Sequence, residues 1–307
     1  MQKTLRKAIT FSGVGLHSGR PVTMTLRPAA AEFGIWFRRT DITHRNALIP
    51  AHWSLVEQGE LCTRIVNADR VDVSTVEHVM AAVAGCGIHN LVIDVDGPEV
   101  PILDGSSAGF VQAILRTGLQ SLDAPVRALK ILHTVEVRNG AAWARLEPAD
   151  ALEIDFHIDF TDAAIGRQDK CLTVANGAFV RELADSRTFC RQSDVDAMRA
   201  RGLALGGTLE NAVVVDGADV LSPGGLRHKD EAVRHKMLDA LGDLALAGAP
   251  ILGRYTGVRS GHAMTNTLLR ALFSDPGACR MVEVDAPTEA RLPGAGLRRS
   301  DAQRLAA

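Results

Sequence analysis

The run Val233-Arg234-His235-Lys236-Met237-Leu238-Asp239-Ala240-Leu241-Gly242-Asp243 restricts this chain more than any other stretch. Val233, Met237, Leu241 and Leu244 recur at helical spacing, which places them on one side of an α-helix. His235, Asp239 and Asp243 fall on the other side, stacked at i, i+4 and i+8. An imidazole and a carboxylate one turn apart can grip one metal ion, so this helix carries half of a metal site. The plainer reading is a solvated face bearing an ordinary His–Asp surface pair. Two details weigh against it. A solvated face usually carries Glu and Lys, whereas this one has short Asp residues, and Gly242 costs a helix interior about 1 kcal/mol relative to Ala. Another element is therefore expected to come close to this face.

The rest of such a site has to arrive from elsewhere in the chain. Ser74 stands three residues before Glu77, a capping-box pattern that predicts a helix through Val79, Met80, Val83 and Ala84 to a glycine stop near Gly85 or Gly87. His78 shares its face with Ala81, Ala82 and Gly85, small residues that leave room for a neighbour. A lone histidine in such a place is ordinarily a hydrogen-bonded core residue. Taken with the first helix, however, His78, His235 and Asp239 make three protein ligands with one open position, the pattern of a catalytic zinc.

With 307 residues and 46% apolar content, the chain can fill the cores of two ordinary domains. A net charge of -2 argues against nucleic acid as a partner. The five cysteines, Cys62, Cys86, Cys171, Cys190 and Cys279, are scattered without a CxxC pair, which excludes a disulfide framework and a thiolate zinc knuckle and suits a cytoplasmic protein. Neither a secretion signal nor an eighteen-residue apolar run is present, so no transmembrane segment is expected.

Along the chain, Val22, Met24 and Leu26 alternate with polar residues as in a strand, and Gly13, Gly15 and Gly19 around His17 read as turn glycines rather than a phosphate loop. Leu91 to Val95 reads as a strand and Ala108 to Thr117 as a helix, with Asp104 as its cap. The segment Gln120 to Lys130 reads as a linker. A weak internal echo follows. Leu26-Arg27-Pro28-Ala29 resembles Leu146-Glu147-Pro148-Ala149, and a histidine helix followed by a strand occurs twice, at His78 to Val95 and at His235 to Val258. Two related α/β halves are expected, spanning 1–122 and 128–286, with a small αβ insertion at about 190–222 and a frayed polar tail over 287–307.

Thr75-Val76-Glu77-His78, Ile102-Leu103-Asp104-Gly105-Ser106, Arg234-His235-Lys236-Met237-Leu238-Asp239 with Gly242-Asp243, and Ser260-Gly261-His262 together resemble the UDP-3-O-acyl-N-acetylglucosamine deacetylase family, zinc amidases of lipid A synthesis in Gram-negative bacteria. The resemblance runs from about Gly13 past His262 and implies an α+β fold of two α/β domains, each a sheet with a helix layer, packed helix layer to helix layer. It implies zinc on His78, His235 and Asp239, with ferrous iron as the alternative ion, and Glu77 as general base. Thr188 and Lys236 would then stabilise the oxyanion, and His262, oriented by Asp243, would protonate the leaving amine. For a UDP-linked acylated glucosamine, the resemblance places Phe160 with Asp159 at the uracil, Phe189 near the sugar and Arg259 at the diphosphate, and counts Asp194 among the substrate-binding residues. Val195, Ala204, Leu209 and Val214 would line a passage for the acyl chain. Cys190-Arg191-Gln192 departs from the family's more apolar run, and His228-Lys229 adds charge. A monomer is expected. Two rival readings fit the sequence less well. A metal phosphohydrolase of the HD type needs an adjacent His-Asp pair, which these helices lack. A UDP-sugar-binding protein with a structural zinc would close its metal with four protein ligands.

Overall fold

A computed structural model of the chain describes residues 1–58 and 61–305. The first half runs β1 (Lys3–Leu5), β2 (Ile9–Val14), β3 (Pro21–Pro28), β4 (Ile35–Arg39), β5 (Leu48–Pro50), β6 (Val56–Gln58), β7 (Thr63–Val66), β8 (Asp72–Val73), α1 (Glu77–Gly85), β9 (Leu91–Val95), α2 (Ala108–Thr117) and β10 (Leu119–Ser121). The second runs β11 (Arg127–Ile131), β12 (Val135–Asn139), β13 (Ala142–Pro148), β14 (Leu152–Asp159), β15 (Arg167–Thr173), α3 (Ala178–Glu182), β16 (Phe189–Arg191), α4 (Gln192–Ala200), β17 (Val213–Asp216), β18 (Asp219–Val220), α5 (Glu231–Ala245), β19 (Ile251–Val258), α6 (His262–Ser274) and β20 (Cys279–Glu283). Two short helices follow, α7 (Ala286–Glu289) and α8 (Asp301–Arg304).

The internal echo is a repeat of topology and register. One sheet has the order β2-β3-β9-β4-β5; in the other, β12, β13, β19, β14 and β15 pair in the same succession, and β11 and β20 join beside the start of β19. In each sheet the central strand is antiparallel to one neighbour and parallel to the other. Pro28 pairs with Leu91, which pairs with Ile35; Pro148 pairs with Gly253, which pairs with Leu152. The two proline turns thus occupy equivalent places. Each central strand lies between a helix before it, α1 or α5, and one after it, α2 or α6.

Helix α1 packs on α5, with α2 beside α1 and α6 beside α5, so the two helix layers face each other between the sheets. Val76, Val79, Met80 and Val83 of the first layer are each at most 1% exposed, and burying a side chain of this size stabilises by roughly 1.5–3 kcal/mol. Gly242 shows why the approach is so close. A Cβ there would collide with the backbone carbonyl of Glu77, so the glycine that weakens α5 as an isolated helix is what lets α1 touch it.

Several expectations need correction. Ser74 does not cap α1: its hydroxyl donates to the Pro98 carbonyl at 3.1 Å, it bridges to Glu99, and the chain turns at Thr75 with φ +58°, so the helix starts at Glu77 without a side-chain cap. Most of the expected linker is strand, in β10 and β11, because Leu119 to Ser121 pair with β1 and Arg127 to Ile131 with β20. Asp104 does not cap α2 directly; it accepts from Ser106, whose hydroxyl in turn accepts from Ala108 N. The tail, as far as residue 305, is docked rather than frayed. Leu292, Asp301 and Ala302 are buried, Asp301 pairs with Arg181, and Gly294 sits against the backbone of Cys86 and Gly87.

Candidate metal centre and active site

Helix α1 presents Glu77 and His78 at its first turn, and α5 presents His235, Lys236, Asp239 and Asp243 on the face turned toward it. His78, His235 and Asp239 are at most 4% exposed, and one ligand atom from each lies within 4.8 Å of the others. The two imidazoles meet edge to face with ring centres 4.9 Å apart. Asp239 Oδ1 stands 3.2 Å from His235 Nε2 and 3.5 Å from His78 Nε2.

Buried polar atoms are normally hydrogen-bonded, yet Asp239 Oδ1 has no hydrogen-bond partner among the described residues. His235 Nδ1 donates to the Ser186 carbonyl at 3.0 Å, which leaves Nε2 as the ring nitrogen turned toward Asp239. A buried carboxylate oxygen facing two imidazole nitrogens is a donor set suited to a divalent cation. Asp239 Oδ2 is occupied separately, by Lys236 Nζ at 2.8 Å. Burial opposes ionisation of Asp239, but His235, Lys236 and His262 prevail and hold its carboxyl well below the usual range. Burial pushes His78 down, toward the neutral form that ligates.

Two groups of opposite proton affinity flank this trio. Glu77 is 3% exposed, and burial, reinforced by Asp239 and Asp243 against the pull of His262, pushes its pKa up to about 7. Its Oε2 accepts from Thr63 N at 3.0 Å. Burial disfavours the charged form of His262, but Asp243, Glu77 and Asp239 outweigh it and raise the pKa to about 9. His262 Nδ1 bonds Asp243 Oδ2 at 2.8 Å, and the Thr63 hydroxyl donates to Asp243 Oδ1. His262 Nε2 is thereby aimed into the site, 3.7 Å from Glu77 Oε1. A carboxyl poised near neutrality opposite a protonated imidazole can act as base and acid on one bond.

A cavity of about 490 Å³ opens over these groups, walled by Phe160, Phe189, Thr188 and Asp194 among others. Phe160 and Phe189 stand edge to face at 5.4 Å, and Phe189 also meets the His235 ring. Next to it a second cavity of about 290 Å³ runs into the 190–222 segment, with Val195, Ala204, Leu209 and Val214 in its lining. Leu16, Leu61, Thr188, Phe189, Cys190 and Met198 border both, so the two adjoin.

A family model described as UDP-3-O-acyl N-acetylglycosamine deacetylase (LpxC) matches residues 2–274. The chain belongs to this family. It is 47% identical over 295 residues, covering 95% of each chain, to the UDP-3-O-acyl-N-acetylglucosamine deacetylase of Anaeromyxobacter sp. (strain Fw109-5). To the proteins of that name from Shewanella oneidensis and Shewanella baltica (strain OS155) it is 44% identical over 299 residues, 95% of this chain and 97% of theirs.

Not every residue expected for a deacetylase of this family lines the cavities. Asp159 and Arg259 pair with each other on the outside, about half exposed, next to the lining residues Phe160 and Ser260. Asp194 does line the cavity but is held by Arg191 in a two-pronged ion pair of 2.7 and 2.8 Å. Thr63, which fixes both Glu77 and Asp243, and Ser186, which orients His235, escaped sequence reading. Their partners are 14, 180 and 49 residues away, with no motif to link them.

Proposed function

We propose that this chain hydrolyses the acetamide of UDP-3-O-(3-hydroxyacyl)-N-acetylglucosamine, releasing acetate and the free amine, with zinc held by His78, His235 and Asp239. The observation that carries the reading is the buried, unpartnered Asp239 Oδ1 facing two histidine nitrogens beside Glu77. A divalent cation there would supply Lewis acidity to the amide carbonyl and ease deprotonation of water. Glu77 takes the proton from the attacking water as general base, a role suited to a carboxylate titrating near neutrality. His262, kept protonated by Asp243, hands a proton to the departing amine. Lys236 and the Thr188 hydroxyl stabilise negative charge on the carbonyl oxygen. Phe160 and Phe189 offer an aromatic wall to the nucleotide and sugar, with Asp159, Asp194 and Arg259 as polar contacts for the UDP-sugar. The apolar cavity past Phe189, including Val195, Ala204, Leu209 and Val214, receives the acyl chain.

The reading takes 1–122 and 128–286 as the two domains, with the insertion over 190–222 and the tail beyond 286. It places the protein in the cytoplasm, consistent with five free cysteines and with the lack of any helix, among the described residues, long and apolar enough to cross a membrane. The test is acetate release from the UDP-acylglucosamine by wild type and Glu77→Gln. The variant should keep its metal while kcat falls by about 10²–10⁴. Wild-type turnover by Glu77→Gln would remove Glu77 from the reaction.

A further inference from the structure

The two half-sites come from different halves of the chain, so something has to set their separation. We propose that Asp104 and Arg227 form a clamp that holds them in register, acting as positioning residues for the metal centre; the inference rests on the metal reading above. Arg227 Nη1 donates both to Asp104 Oδ2, at 2.9 Å, and to the backbone carbonyl of Asp185, at 2.7 Å. A single guanidinium nitrogen thus ties a loop of the first half to a segment of the second.

Each tied end leads directly to a ligand. On the first side, the Asp104 carboxylate accepts from the backbone and hydroxyl of Ser106, fixing the turn 104–107. Ser107, fully buried at the end of that turn, donates its hydroxyl to the backbone carbonyl of His78 at 2.7 Å. On the second side, Asp185 precedes Ser186, whose carbonyl orients the His235 ring. Two residues on, Thr188 N donates to the Gly105 carbonyl at 2.8 Å, a second cross-tie on the same turn. Gly105 has φ +83°, and a Cβ there would strike the Asn211 carbonyl, so the turn is pressed tightly against the second half.

Arg227 is itself anchored. Its backbone N donates to Glu231 Oε2 at 2.6 Å, and Glu231, 1% exposed, opens the helix that carries His235 and Asp239. The Asp104 and Arg227 side chains are 36% and 35% exposed, so their attraction contributes little to global stability. What the pair does is geometric: it joins the outer supports of His78, His235 and Thr188. Groups hydrogen-bonded directly to metal ligands typically change metal affinity by about 10- to 100-fold when removed; this pair acts one contact further back, so the lower end of that range is expected.

The test is zinc affinity by competition with a chromogenic chelator for wild type, Asp104→Asn, Arg227→Gln and the double variant, with cobalt absorption spectra, kcat, KM and Tm alongside. Asp104→Asn keeps an acceptor for Ser106 and loses only the charged tie. Each single variant should bind zinc about 10-fold more weakly, shift the cobalt bands and lose kcat more than KM, with Tm lower by no more than about 2–4 °C. The double variant should be no worse than the weaker single. Zinc affinities within about twofold of wild type with unchanged cobalt bands would overturn the clamp, as would additive losses in the double variant. If wild type itself bound no zinc, the metal reading would fall and the clamp with it; normal wild-type binding with unperturbed variants would sink the clamp alone.

Discussion

Replacing Gly242 with Ala sets two physical rules against each other. In a solvated helix the change should stabilise by about 1 kcal/mol, since Ala is the better helix former. Here the new methyl would run into the carbonyl oxygen of Glu77 on the facing helix, backbone that cannot rotate away. Inserting a methyl into a closed contact of this kind typically costs about 1–3 kcal/mol, so the net change should be between neutral and about 2 kcal/mol destabilising. The catalytic consequence is larger. Relief of the clash requires α1 and α5 to part by roughly 1 Å, and misplacement of that size at a reacting centre costs on the order of 10²-fold in rate. Because the moving carbonyl belongs to Glu77 and the next residue is His78, kcat/KM and metal affinity should fall together. Urea unfolding and steady-state acetate release on the same preparation give both quantities. A Gly242→Ala variant that is more stable than wild type and fully active would refute the close-approach argument.

The remaining expectations concern pH. With Glu77 as the proposed base and His262 as the proposed acid, kcat/KM should rise as pH climbs through the Glu77 pKa and fall as it passes that of His262; a bound cation, favouring the less positive forms, would set these limbs at or below about 7 and 9. In His262→Gln the residual rate should lose its alkaline limb, and an unchanged limb would assign it to another group. Far from the site, His89 Nδ1 accepts from Lys3 N at 3.1 Å, and burial depresses its pKa to about 4. Between pH 6.5 and 4 the unfolded chain therefore binds more protons than the folded one, and stability should drop by up to about 3 kcal/mol as pH falls across that window. His89→Asn, which keeps an acceptor without a titrating ring, should flatten that part of the stability curve; an unaltered slope would show that other groups cause it.

Much of the site was legible because its parts lie within single helices, where spacing fixes direction. His235, Asp239 and Asp243 had to share a face, and Gly242 on that face announced a close neighbour, which turned out to be the Glu77 backbone. The paired proline turns at Pro28 and Pro148 likewise marked a repeat whose register the two sheets share. What could not be read depends on contacts between distant segments. Ser74 has the chemistry of a cap, but an isolated bridge to Glu99 holds it extended and its hydroxyl donates to the Pro98 carbonyl instead. The strand Arg167–Thr173 hides because it is an edge strand held by cross-strand charges, such as Asp169 on His157, so no apolar alternation marks it. The tail is polar in sequence, yet buried Leu292 and Ala302, the Asp301–Arg181 pair and the Gly294 contact dock it.

The account stands on the convergence of His78 with His235 and Asp239 around one divalent ion, and metal stoichiometry tests this most directly. After stripping with a chelator and dialysis against zinc, wild type should regain about one ion per chain together with acetate release, while His78→Ala and Asp239→Ala, each lacking one of three ligands, should regain neither. Wild type that stays fully active when metal-free, or a His78→Ala protein that still holds one tightly bound zinc, would contradict it.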